Sequence, residues 1–297
     1  MQKQVPFFMV LFAAALWGTT GTAQTFLTNS HPISVGAMRL AVGGLFLLIV
    51  AIGIKKFSFR RLPRKPLIFA ALCMAGYQPF FFSAVNMTGV AIGTVVGIGS
   101  APIMAGLMDW LFLKRKKTAR WWLATLLSIL GCFVLFLNGE AVVIQPLGIL
   151  FALAAGLSFA GYTLLSERLI GYESPVSVTA VIFCMSAVIL SPFLLIFDIS
   201  WVLQSNGMLV SLHLGIAATG VAYLLFSKGL VRVPGSTAVT LSIVEPLTAA
   251  LLGVFIVGES FSFLSWMGMI FIFLGLTILS LPAGVFKNRE AKLRNIS

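Results

Sequence analysis

Apolar residues run through the chain in ten long blocks, at roughly 5–27, 34–54, 67–86, 91–113, 120–138, 147–166, 175–197, 207–228, 235–257 and 262–285. Short polar stretches separate them. Each block is about 20 residues long, the length a helix rising 1.5 Å per residue needs to cross a hydrocarbon layer about 30 Å thick. The separators carry turn residues, as in Asn29-Ser30-His31-Pro32 and Asn138-Gly139-Glu140. The pattern predicts an all-α integral membrane protein with ten transmembrane helices and no soluble domain. The first block runs too far for a signal peptide and more blocks follow, so it reads as the first span.

The ten blocks fall into two sets of five. Sliding the chain along itself by 144 positions brings Phe82-Ser83 onto Phe226-Ser227, Pro102 onto Pro246, Trp122 onto Trp266 and Leu130-Gly131 onto Leu274-Gly275. No gap is needed. Five is odd, so a second set that repeats the first must sit inverted in the membrane. Two inverted five-helix repeats, 5–138 and 147–285, are therefore expected, followed by a disordered tail over 286–297. Inverted repeats are an architecture of secondary transporters, with substrate held near the midplane between the halves.

Composition agrees. Of 297 residues, 59% are hydrophobic and 9% are charged, against roughly 25% charged in a soluble domain. Such a chain could not cover its own surface in water. The basic residues behind the net charge of +12 cluster in short segments separated by long apolar stretches, which is the spacing of a polytopic membrane protein and not a continuous face for nucleic acid. With the N-terminus in the cytoplasm, nineteen of the twenty Lys and Arg residues fall on the inner side. The exception is Arg39, inside the second block. The expected location is the cell membrane, with both termini cytoplasmic.

Several chemistries are missing. Cys73, Cys132 and Cys184 lie far apart in apolar blocks and have no metal-ligand spacing. The only histidines are His31 and His213, so an embedded metal or acid–base enzyme finds no cluster to work with. No strand leads into a phosphate-binding glycine loop. Neither a cofactor nor a metal is expected, and nothing in the pattern fixes an oligomeric state.

Three motifs point further. "ALWGTT" (Ala15 to Thr20), "AMRLAVGGL" (Ala37 to Leu45) and "SIVEPLTAALLGVFIVGE" (Ser242 to Glu259) resemble the first, second and ninth spans of the EamA family, in the drug/metabolite transporter superfamily. The family's Gly-Glu-like end after the fourth span is replaced here by Lys114-Arg115. The resemblance covers nearly the whole chain. It implies export or import of amino acids and other small metabolites.

The candidate site residues are few. Trp17, Tyr77, Tyr162 and Tyr223 are in-span aromatics with a polar tip. Any of them could equally fill volume or bond helix to helix. Gln24, Gln78, Asn86, Thr94 and Thr240 add neutral polar groups that suggest a cavity only as a set. Arg39 either snorkels to the headgroups or faces a carboxylate, of the protein or of a substrate. Asp109 is placed to pair with the basic loop that follows it. Gly89, Gly93 and Gly97, four apart, read as a face of small residues. Pro102 and Pro246 are candidate helix kinks, because proline removes a donor and crowds the carbonyl four residues back. Glu245, beside Pro246, is costly in a membrane unless paired, hydrated or protonated. It either fixes the kink or acts as the coupling residue, carrying a proton or meeting a substrate amino group.

The chain thus reads as a secondary active transporter, an exporter of small molecules in the lipid bilayer, with cavity walls from spans one, three, four, six, eight and nine. An uncoupled channel or facilitator is the alternative, and an embedded enzyme a weaker one.

Overall fold

The computed structural model describes residues 4–27, 30–136, 145–258 and 260–280, and these contain helices and no strand. The helices are α1 (Val5–Gln24), α2 (Pro32–Gly53), α3 (Arg64–Gly89), α4 (Ile92–Leu113), α5 (Ala119–Leu135), α6 (Pro146–Ile170), α7 (Pro175–Ile196), α8 (Ser205–Leu230), α9 (Gly235–Val257) and α10 (Phe263–Ser280). Nine of them are long and apolar enough to cross a membrane. The other, α5, has 17 residues, roughly 26 Å at 1.5 Å each. The expected turn at Asn138-Gly139-Glu140, the end of the last block, Glu259 and the tail over 286–297 lie outside the described residues.

Local chemistry sets the helix starts. Proline opens α2, α6 and α7, where its missing N–H costs nothing. Side chains of His31, Thr118 and Ser174 accept the backbone N–H groups of Ile33, Trp121 and Ser177 and so cap α2, α5 and α7. At Gly89 the backbone adopts φ 83° and ψ 164°, a region open essentially to glycine alone. That residue separates α3 from α4. Gly93 then packs on the Val85 backbone of α3, whereas Gly97 approaches Phe81 and Ala152. The three glycines expected to share one face instead make one hinge and two different contacts. Spacing predicts a face only while the helix continues, and it does not continue through Gly89.

The helices pack in a crosswise pattern: α2 on α7, α5 on α10, α6 against α3 and α4, and α1 against α8 and α9. Large apolar side chains such as Phe8, Leu45, Phe69, Phe112, Leu195 and Phe255 remain on the outside, where lipid is as good a solvent as another helix. Close contacts use small residues. A Cβ on Gly18 of α1 would lie 2.6 Å from the Glu245 carbonyl oxygen of α9, so only glycine permits this approach.

Polar residues tie the ends together. At one end, the Ser58 N–H donates to Ser177 Oγ at 2.8 Å and Ser58 Oγ to Glu173 at 2.6 Å. There too Asp109 is fully buried against Lys117 and accepts from Ser236 Oγ at 2.7 Å. Arg115 pairs with Glu167 at 2.6 Å, and Glu167 accepts the Gly235 N–H at 2.9 Å. Asp109 therefore does meet the basic loop, as its position suggested. Among the described residues every Lys and Arg except Arg39 belongs to this end. At the other end the His31 and Phe197 rings stack at 3.9 Å, and Trp201 Nε1 donates to Ser34 at 3.1 Å.

Candidate functional site

The α-helix of α9 stops at Leu241 and resumes at Val244. Pro246 has no N–H to give the Ser242 carbonyl, and its ring crowds that oxygen. Ser242 O accepts from the Glu245 N–H at 2.9 Å, and Thr240 O from Ile243 at 3.2 Å, both tight three-residue turns. The break brings Ser242 and Glu245 to the same small cavity. In α4, by contrast, helical structure is unbroken through Pro102.

The cavity lies near the middle of the helices. Its walls are Trp17 of α1, Arg39 of α2, Tyr77 of α3, Gly97, Ile98 and Ala101 of α4, Phe159 of α6, Tyr223 of α8, and Val239, Ser242 and Glu245 of α9. The space inside is about 30 Å³, where one water needs about 10–15 Å³. One wall is aromatic. Trp17 packs on Tyr223 at 4.6 Å, on Phe226 at 5.1 Å and edge-on to Phe159 at 5.7 Å, and Tyr77 meets Phe159 at 5.8 Å. Each such pair adds about 0.5–1.5 kcal/mol beyond burial, so this wall is stiff.

Two ionisable side chains face this space. Arg39 is 8% exposed and its guanidinium turns onto α8. Its Nε donates to Thr219 Oγ1 at 3.1 Å and its Nη2 to the Ala218 carbonyl at 3.4 Å. Both acceptors lie in the stretch His213–Val221, where α8 widens to π geometry, a form often found at functional sites. Glu245 lies across from it and the two form no ion pair. The Glu245 carboxylate has no hydrogen-bonding side chain among the described residues. The buried Trp17 indole N–H also has no acceptor.

The sequence-derived candidates divide. Trp17, Arg39, Tyr77, Tyr223 and Glu245 meet at the cavity. Tyr162 is fully buried one layer behind, between Phe159, Phe183 and Tyr223. The neutral polar set does not line it: Thr240 bonds Ser236 and Thr125, and Gln24 bonds its own helix at Thr20. Arg39 adds α2 to the expected walls. Phe159, Ala101 and Ser242 were missed. Phe159 is one of 26 phenylalanines, and no local signal separates it from those facing lipid. Ala101 could have been found, because it is the 144-residue counterpart of Glu245.

An all-helical, multi-pass membrane protein with a cavity near mid-bundle lined by ionisable side chains belongs to the transport proteins in its architecture. Comparison with known proteins makes the class specific. The model of the EamA-like transporter family matches residues 5–137 and 146–281, and the chain belongs to that family. It is 47% identical to the uncharacterized transporter YwfM of Bacillus subtilis (strain 168), over 98% of this chain and 99% of that one. It is 26% identical to the threonine/homoserine exporter RhtA of Escherichia coli (strain K12), over 88% of this chain and 86% of that one. A solved crystal structure shares the fold with a TM-score of 0.79 at 21% identity, covering 91% of this chain and 94% of the other.

Proposed function

We propose that this EamA-family transporter is a secondary active exporter of small metabolites of the amino-acid type, coupled to protons through Glu245. The observation that carries this reading is that Arg39 and Glu245 face one cavity and neither has an ion-pair partner among the described residues. A zwitterion answers both charges: its carboxylate suits the guanidinium and its ammonium the Glu245 carboxylate. The aromatic wall suits a small, partly apolar side chain, and the Trp17 N–H is a further donor for a bound acceptor. The name of RhtA, a threonine/homoserine exporter, supports the same substrate class. The small volume of about 30 Å³ favours a carrier over an open channel, since a substrate needs the helices to move.

We take the architecture to be ten spans in two inverted repeats. One family model matching two stretches supports this. So does the packing: shifting by five helices exchanges α2 with α7 and α5 with α10, and turns the α6 contacts with α3 and α4 into those of α1 with α8 and α9. The basic end is read as the cytoplasmic end of a protein in the cell membrane, with both termini inside.

Reconstitution tests the function. Proteoliposomes preloaded with L-threonine, L-homoserine or apolar amino acids should accumulate labelled substrate by counterflow, and a pH gradient should drive net movement. Glu245→Gln keeps shape and hydrogen bonding but cannot ionise. It should insert normally, lose pH-driven transport and retain exchange. Full pH-driven transport by this variant would return Glu245 to a structural role.

A further inference from the structure

We infer that Ser236, held by Asp109 and Lys117, is the clasp of an interhelical lock that closes the cavity toward the basic end. The inference rests on the transport reading above. Two helices carry both the cavity and the lock. On α4, Asp109 follows the cavity residue Ala101 by about 12 Å, and on α9, Ser236 precedes Glu245 by about 13 Å. Between the two levels lies an apolar layer, in which Ala101, Ala105, Ala160 and Val239 are buried with Met104, Met108 and Phe159 packed on them. Substrate moving between Glu245 and the basic end must part this layer.

The lock is built across that path. Ser236 Oγ donates to Asp109 and accepts from Lys117, so one hydroxyl of α9 is clasped by both members of a buried ion pair. A second strap runs alongside: Arg115 to Glu167 of α6, and Glu167 to the first N–H of α9. Both hold the start of α9, the helix that breaks at Ser242–Ile243 and carries Glu245. A segment jointed at its middle and clasped at its end can swing when the clasp opens. Hydrogen bonds to charged partners in a buried setting are strong and costly to leave unmade, which fits a latch with two discrete positions.

The experiment reads access and not activity. Cys73, Cys132 and Cys184 are replaced by alanine in the full chain, and Ser242→Cys supplies one thiol in the cavity. Membrane vesicles of both orientations are treated with an impermeant maleimide. With the lock intact, labelling from the basic face should be slow. Ser236→Ala and Asp109→Asn should each raise it by about tenfold, within the usual range of conformational coupling, and leave labelling from the opposite face unraised. The double variant should add little more, because both open one clasp. Unchanged labelling from the basic face would overturn the lock. So would an equal rise from both faces, which marks general loosening. Should Asp109→Asn fail to insert, Ser236→Ala keeps both charges and carries the test. Counterflow measured on vesicles of the unaltered protein separates the two readings: its absence counts against transport, however the labelling falls.

Discussion

Gly18 and Phe159 mark what a single residue can reveal of itself. Gly18 follows a tryptophan in an apolar block, and its sequence context says only that something comes close. In the structure a Cβ there would meet Thr248 of α9 at 2.5 Å and the Glu245 carbonyl at 2.6 Å. Gly18→Ala should therefore destabilise by about 1–3 kcal/mol, as overpacking does, and lower the thermal midpoint in detergent. A midpoint equal to wild type would mean that α1 and α9 lie further apart. Charged residues were legible because their cost in lipid is high and demands a reason. Arg39 and Glu245 stood out on that ground alone. Phe159 carries no such cost on either side of a helix, and only its ring contacts with Trp17, Tyr77 and Phe226 distinguish it.

Helices were legible where length and apolarity decide, and their interruptions where proline or glycine forces them. The two prolines related by 144 positions differ in outcome. α9 breaks four residues before Pro246, but α4 stays helical through Pro102. Proline removes one bond in either helix, and the surrounding packing decides whether the helix opens. Gly89 is the other interruption. No atom would crowd a Cβ there, so the cost of a side chain is that of the backbone alone. Gly89→Ala should cost about 1–3 kcal/mol through φ 83°. Gly21→Ala, in an ordinary helical turn with equally open space, should instead gain about 0.5–1 kcal/mol. Thermal unfolding of the two variants should move in opposite directions, and matching shifts would deny the hinge.

Across the whole molecule the charge asymmetry is the strongest signal. Every described Lys and Arg but Arg39 lies at one end, and moving basic loops across a bilayer is disfavoured. Reporter fusions after Ile199 and after Leu230 should therefore read outside and inside respectively, and the reverse pattern would invert the proposed topology. The same end carries the proposed lock, so the basic loops behind the proposed orientation also supply its groups. Asp109 and Lys117 are eight residues apart, which made their pairing foreseeable. The clasp on Ser236, 127 residues from Asp109, was not.

Sequence by itself determined the solvent, the apolar helices, the class of protein and the ionisable residues Arg39, Asp109 and Glu245 that stand out within its spans. Those properties follow from transfer free energy and rise per residue, which act on each segment separately. Tertiary structure alone decided which faces of equally apolar helices meet. In lipid there is little hydrophobic penalty for choosing the wrong face, so the choice falls to shape, to the absence of a Cβ at Gly18, and to polar partners far apart in the chain. That is why Glu245 could be singled out from nine residues of sequence, while its neighbour in the cavity, Phe159, emerged only when α6 and α9 were brought together.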